Sequence, residues 1–178
     1  MLSLGTWTLA ALLLQAPPSL DSTSPKERLD AVEKMAIRGR TENVAPLAEA
    51  LQRDPRSDVR AAIAAGLARI GGSEVVPPLT KSLQSDLDKD VRLQVVDSFQ
   101  QLYIPVDTPG PIRTVFNKVK SVFAEADRPL VHNPAVVDPS VNAALAEAMQ
   151  KDFSQEVRAA SARALGSLQA RDRVAILI

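Results

Sequence analysis

The side chains best suited to chemistry in this chain are carboxylates set two residues apart: Asp86, Asp88 and Asp90. Such a group could divide general-acid and general-base work if its surroundings pushed the pKa values apart. These residues also stand directly before an apolar run of helical period, where a carboxylate accepts unpaired backbone N–H groups. Capping is the reading that the position favours. His132, in Val131-His132-Asn133-Pro134, is the only histidine, and there is no cysteine. One imidazole and no thiolate exclude a two-histidine or thiolate metal site, a cysteine nucleophile and disulfides. No serine is placed beside a histidine base, as a hydrolase triad requires. Gly71-Gly72 and Gly110 lack the spacing and the lysine of a phosphate-binding loop.

The carboxylates belong to a recurring block. It reads Asp54-Pro55-Arg56-Ser57-Asp58-Val59-Arg60, then Asp86 to Arg92, then Asp152 to Arg158 with Glu156 at the second acidic place. From Val59 to Val91 is 32 residues, and from Val91 to Val157 is 66. A fixed period of this size marks a solenoid, whose units bury their apolar faces only against neighbours. After each block the apolar positions follow one face of an α-helix, here called A: Val59, Ile63, Leu67 and Ile70; Val91, Val95, Phe99 and Leu102; Val157, Ala164, Leu165 and Leu168. Gly66, Ser98 and Ala164 keep one place small, so a neighbouring helix can approach. A second helix, B, recurs as Val44–Leu51, Val75–Leu83 and Val141–Met149. Pro46 and Pro77-Pro78 fall in its first turn, where a missing N–H removes no helical bond.

The pattern predicts an all-α solenoid of about four antiparallel helix pairs. Its domain spans residues 24–178 and carries one helical insertion over about 104–137. In the insertion, residues 111–126 form the helix candidate, with Phe116, Val119 and Phe123 on its apolar stripe and Arg113, Lys118 and Lys120 opposite. The first unit is altered: Glu27-Arg28 stands in the place of Val-Arg, and Lys34 takes an inner position, as terminal repeats often show. The last A helix is expected to end near Leu168, with Arg173–Ile178 beginning a further B helix. Such an apolar end implies a longer solenoid, self-association or a partner resting on it.

Residues 1–23 read as a signal-peptide-like leader and linker. Met1–Ala16 has no charged side chain, and Leu9–Leu14 is too short to span a bilayer comfortably. This points to export to a periplasm or attachment at a membrane. An apolar cap on a cytoplasmic solenoid is the alternative. Aromatic residues make up 3% of the chain, so the core must be aliphatic. With 21 basic and 21 acidic residues the surface is balanced, which argues against nucleic acid as a partner.

The Asp-x-x-x-Asp-Val-Arg-x-x-Ala start, the Ala-rich helix ending in Leu67-Ala68-Arg69-Ile70-Gly71, and the Leu-x-x-x-Leu B helix resemble HEAT repeats. The narrower likeness is to the short bacterial HEAT-like repeats of bilin-lyase type. The resemblance covers about residues 24–178 less the insertion. It implies a ladder between successive repeats built from Asp58 with Arg60, Asp90 with Arg92, and Glu156 with Arg158. The residues themselves agree with such a tie: Asp54, Asp86 and Asp152 stand where a carboxylate accepts backbone N–H bonds at a helix start, and an arginine one unit away could complete the pairing. Members of this fold that hydroxylate a modified lysine hold di-iron with His–Glu pairs, and no such pair exists here. HEAT-fold glycosylases use aromatic residues in a basic cleft, whereas the single Trp here is Trp7.

The function expected is a non-catalytic protein-binding scaffold with no cofactor and no metal. Its candidate contacts are the outward B-helix residues Glu49, Lys81, Gln84 and Glu147, with Arg113, Phe116, Lys118, Val119, Lys120 and Phe123 of the insertion. Two alternatives stand beside it: an accessory subunit of a bilin-lyase-like or other protein-modifying enzyme, and a membrane-surface adaptor acting through the insertion helix.

Overall fold

A computed structural model describes residues 19–104 and 136–175, with backbone only for 170–175. The leader segment 1–18, the insertion helix with Arg113, Phe116, Lys118, Val119, Lys120 and Phe123, His132, and residues 176–178 lie outside the described residues.

Seven α-helices run through the described residues, and no strand is present among them. Helix α1 (Pro25–Arg38) opens with proline at its first position, whose fixed φ suits a helix start. It closes on Gly39 at φ 59°, a left-handed conformation that glycine adopts without a Cβ clash. Helix α2 (Val44–Arg53) follows a single 3₁₀ turn. Helix α3 (Ser57–Ile70) ends at Gly71, with φ 76°. Helix α4 (Val76–Ser85) carries its prolines in the first turn, as their missing N–H groups require. Helices α5 (Lys89–Tyr103), α6 (Pro139–Lys151) and α7 (Gln155–Ala175) complete the order.

The A helices α1, α3, α5 and α7 stack in one layer, and the B helices α2, α4 and α6 in the other. Each B helix packs against the A helix that follows it. The tight turns at residues 54–56, 86–88 and 152–154 therefore close α2–α3, α4–α5 and α6–α7 hairpins, and α1 leads them as a single A helix. The insertion consequently joins two hairpins and leaves every block turn intact. Its ends converge: the Asp138 N–H donates to the Tyr103 hydroxyl at 3.4 Å, and Val137 is buried in the core.

Between the layers lies an aliphatic core whose largest fully buried members include Phe99, Leu47, Ile63, Leu67, Leu79, Leu145 and Leu168. Burying each such side chain stabilises the fold by about 1.5–3 kcal/mol. Gly66 shows why one place in the A helix stays small: a Cβ there would meet the Ala36 Cβ at 3.3 Å and Val32 at 3.4 Å, both on α1. Ser98, at the equivalent place in α5, sends its hydroxyl to the Ala64 carbonyl of α3 at 3.1 Å.

Three expectations change. Helix α7 continues to Ala175, so Arg173–Ala175 extend the last A helix and begin no B helix. No glycine after Gly166 and no proline interrupts this stretch, so nothing local stops the helix. Leu165 is half-buried, unlike Leu67 at the equivalent place, because no further unit covers that end among the described residues. Residues 20–23, read as linker, are folded onto the first unit. Leu20 packs against the core, and Asp21 pairs with Arg53 at 2.7 Å.

Candidate functional site: the arginine–aspartate ladder and the exposed B face

Each block aspartate is a junction. The N–H of Asp54 closes α2 on the Ala50 carbonyl at 2.9 Å, while its Oδ1 accepts the Arg56 N–H at 2.9 Å. Asp86 and Asp152 repeat this with the Asp88 and Ser154 N–H groups, at 2.9 and 2.8 Å. The carboxylate thus holds the turn two residues before the helix, and the position immediately before α3 and α5 is Arg56 and Asp88. Asp88 is itself a cap, accepting the Asp90 N–H at 2.8 Å.

The same carboxylates receive an arginine from the preceding unit in two parallel bonds. Arg28 reaches Asp54 through Nε at 2.6 Å and Nη2 at 3.1 Å. Arg60 reaches Asp86 at 2.7 and 2.8 Å, and Arg92 reaches Asp152 at 2.7 and 2.9 Å. In each case Nη1 donates to the carbonyl that begins the arginine's own block: Ser22, Asp54 and Asp86, at 2.9, 2.9 and 2.8 Å. The planar fork of a guanidinium is matched to this use, and a lysine could not replace it. The first unit, altered as it is, keeps this geometry through Arg28 and Ser22.

The ladder therefore links each block arginine with the first aspartate of the next block. The pairing implied by the family likeness does not form. Asp58 instead holds Arg56 of its own block at 2.9 and 2.7 Å. Glu156 pairs with Lys89 across the repeat interface, and Asp90 enters through its backbone N–H. The reason is reach: Asp58 and its equivalents lie inside the helix, a turn beyond the carboxylate that faces the neighbouring arginine. Arg158 keeps its bond to the Asp152 carbonyl at 2.8 Å, with no carboxylate partner among the described residues.

These contacts set the charge state of Asp152 and Asp88. Burial acts to raise Asp152, but the Arg92 hydrogen bond, the Ser154 N–H and the neighbouring arginine charges outweigh it and hold the group below the usual carboxylate range. Burial likewise acts to raise Asp88, and the Asp90 N–H and the Ser57 side chain leave it lowered. A general acid near neutral pH needs the opposite shift. Among the described residues no group of three or more His, Asp or Glu is placed to hold a metal ion.

The outward B-helix residues share one layer and face solvent. Glu49 bonds to Arg53 at 3.0 Å, and Gln84 donates to Glu147 at 3.1 Å, bridging α4 and α6. Glu147 also pairs with Lys151, while Lys81 is exposed beside them. Near this layer an open cleft of about 230 Å³ is lined by Gln52, Arg60, Ser82, Ser85, Asp86 and Leu87, among others. The buried Ser82 hydroxyl has no hydrogen-bond partner among the described residues. Leu87 and Phe153 are 97% and 99% exposed at the second place of their blocks, which Pro55 fills in the first. The periodicity marks these as loop positions and gave no sign of an exposed apolar row. Aligning the blocks column by column would have found it.

No helix of the described residues is long and apolar enough to cross a membrane. No curated protein matches the chain. The family model of HEAT repeats matches residues 12–100, beginning inside the apolar N-terminal stretch. With the A and B layers and the inter-repeat ladder in place, that match identifies the chain as a member of the HEAT repeat family.

Proposed function

We propose that this protein is a non-catalytic scaffold that binds other proteins through the exposed B-helix layer, together with the insertion. HEAT repeats generally mediate protein–protein interaction. One observation carries the finer reading. Arg28, Arg60 and Arg92 and the aspartates they hold are consumed in ties between units, while Glu49, Lys81, Gln84 and Glu147 stay in solvent on a single layer. Their mixed signs favour a partner surface of mixed charge over a polyanion. A test uses the full chain as bait, in its natural form, with Lys81→Glu and Glu147→Lys combined, and with residues 104–137 deleted. Loss of a partner in either variant, with a cooperative thermal melt retained, supports the reading. Retention of every partner in both removes it.

Export is the localisation we propose, on the uncharged apolar stretch before Pro17-Pro18. Fractionation followed by N-terminal sequencing of the mature protein checks it. A cytoplasmic protein with an intact Met1 overturns it.

A further inference from the structure

The open cleft of about 230 Å³ between the ends of α2 and α4 is lined by Leu51, Gln52, Ser82, Ser85, Asp86 and Leu87, among others. Two serines set this unit apart. Ser85 stands where the neighbouring B helices carry Arg53 and Lys151, and Ser82 where they carry Ala50 and Ala148. Ser85 turns its hydroxyl back to the Lys81 carbonyl of its own helix at 2.8 Å. Ser82 is 2% exposed, and its hydroxyl has no hydrogen-bond partner among the described residues. An unpaired buried hydroxyl is costly, and alanine fills the same place in α2 and α6 without that cost. The charges around the cleft are already matched: Arg60 holds Asp86 at 2.7 and 2.8 Å, and Arg28 holds Asp54 at 2.6 Å. What remains for a ligand is uncharged, namely the two serines, the Gln52 amide and the apolar Leu51 and Leu87. The volume lies below the ~300–1,000 Å³ of small-molecule sites, so the cleft takes a residue or two of a chain.

The exposed apolar row gives the direction of that chain. Leu87, 97% exposed, stands at the cleft, and Phe153, 99% exposed, holds the same place in the next turn. The two turns are neighbours, since Arg92 holds Asp152 and Lys89 pairs with Glu156. Stacked helices lie about 8–10 Å apart and an extended chain rises about 3.3 Å per residue, so side chains about three residues apart reach both.

We propose that this turn edge binds an extended, uncharged peptide segment of a partner protein. A neutral polar residue, or the peptide group itself, enters the cleft beside Ser82 and Gln52. Two apolar side chains about three residues apart lie on Leu87 and Phe153. An anionic membrane is the poorer match, because residues 86–90 and 152–156 carry five acidic side chains and one lysine. This inference rests on the protein-binding reading and gives it a contact separate from Glu49, Lys81, Gln84 and Glu147.

The experiment pans a random peptide library displayed on phage against the full chain. It should enrich uncharged sequences with two apolar residues about three apart. A fluorescent synthetic peptide of the enriched sequence should bind in anisotropy and weaken at least tenfold with Ser85→Lys, Leu87→Asp or Phe153→Asp, all changes at exposed places. Ser82→Ala should weaken binding severalfold and yet raise the Tm of the free chain, a pair of opposite effects that a merely structural hydroxyl would not give. Lys81→Glu combined with Glu147→Lys should leave peptide binding unchanged, which separates failure of this site from failure of the B-layer reading. The proposal is overturned if no sequence is enriched, if Ser82→Ala leaves binding intact, or if binding is indifferent to Ser85→Lys and Leu87→Asp. Flotation with phosphatidylglycerol vesicles that Leu87→Asp and Phe153→Asp abolish also overturns it, by assigning the apolar row to a membrane.

Discussion

The first and last A helices are built on one template and treat their outer sides oppositely. At the place where α3 has Gly66 against α1, α1 itself has the exposed Lys34, and at the place of the buried Ala62 it has Asp30. These charges stabilise a surface and would be costly against another helix. Helix α7 keeps alanine and glycine on its outer side and keeps the ladder arginine. The difference teaches that one helix template can carry either a polar or a small, apolar outer side. A cap needs polar residues on the stacking face and loss of one half of the tie. Among the described residues, the outer side of α1 has both and that of α7 has neither.

The largest test of this contrast compares equivalent leucines. Leu67→Ala, in the fully buried centre, should cost about 3–5 kcal/mol in chemical unfolding. Leu165→Ala, at the half-buried end, should cost about 1 kcal/mol. Equal losses would mean that the α7 face is covered in the free protein.

Next come the arginines. Arg60→Ala leaves the Asp86 carboxylate, 7% exposed, without its cation and should cost about 3 kcal/mol. Arg158→Ala breaks only bonds to carbonyls and should cost under about 1 kcal/mol. A double-mutant cycle of Arg60 with Asp86 isolates the pair.

Acid should act through the same rungs. Because Asp152 is held below its ordinary range in the folded state, it stabilises the fold above the unfolded carboxylate pKa of about 3.9. That contribution is lost as pH falls through the folded value. Asp152→Asn should flatten the loss of stability below about pH 4 seen in urea titrations. An unchanged slope would place the acid sensitivity elsewhere.

The smallest effect should be a gain. Ser161 is fully buried with no partner for its hydroxyl among the described residues, at the place that Ile63 and Val95 fill in α3 and α5. Ser161→Ala should stabilise by about 1 kcal/mol, read as a rise in Tm. A fall would show that the hydroxyl finds a water or carbonyl in solution.

Much of the fold was legible because helix faces are local. Offsets of four, seven and eight residues follow from 3.6 residues per turn, so the buried face of α3, α5 and α7 could be marked along the chain. The first-turn prolines of α4 and the closing Gly71 were equally local. The candidate site was legible only in part. The acidic and basic members of the ladder were recognisable, and so was the dependence of Asp54, Asp86 and Asp152 on an arginine one unit away.

Sequence alone thus determined the repeat, the helix types, the inward faces and the charges available for joining units. Each is a property of neighbours along the chain. Tertiary structure decided which B helix folds onto which A helix, and that Arg60 and Arg92 reach aspartates 26 and 60 residues on. It also decided that α7 continues to Ala175 and that Ala159, Ala162 and Gly166 are exposed among the described residues. These depend on the distance and angle between stacked helices. Packing of whole side-chain layers sets those quantities, and no single spacing along the chain encodes them.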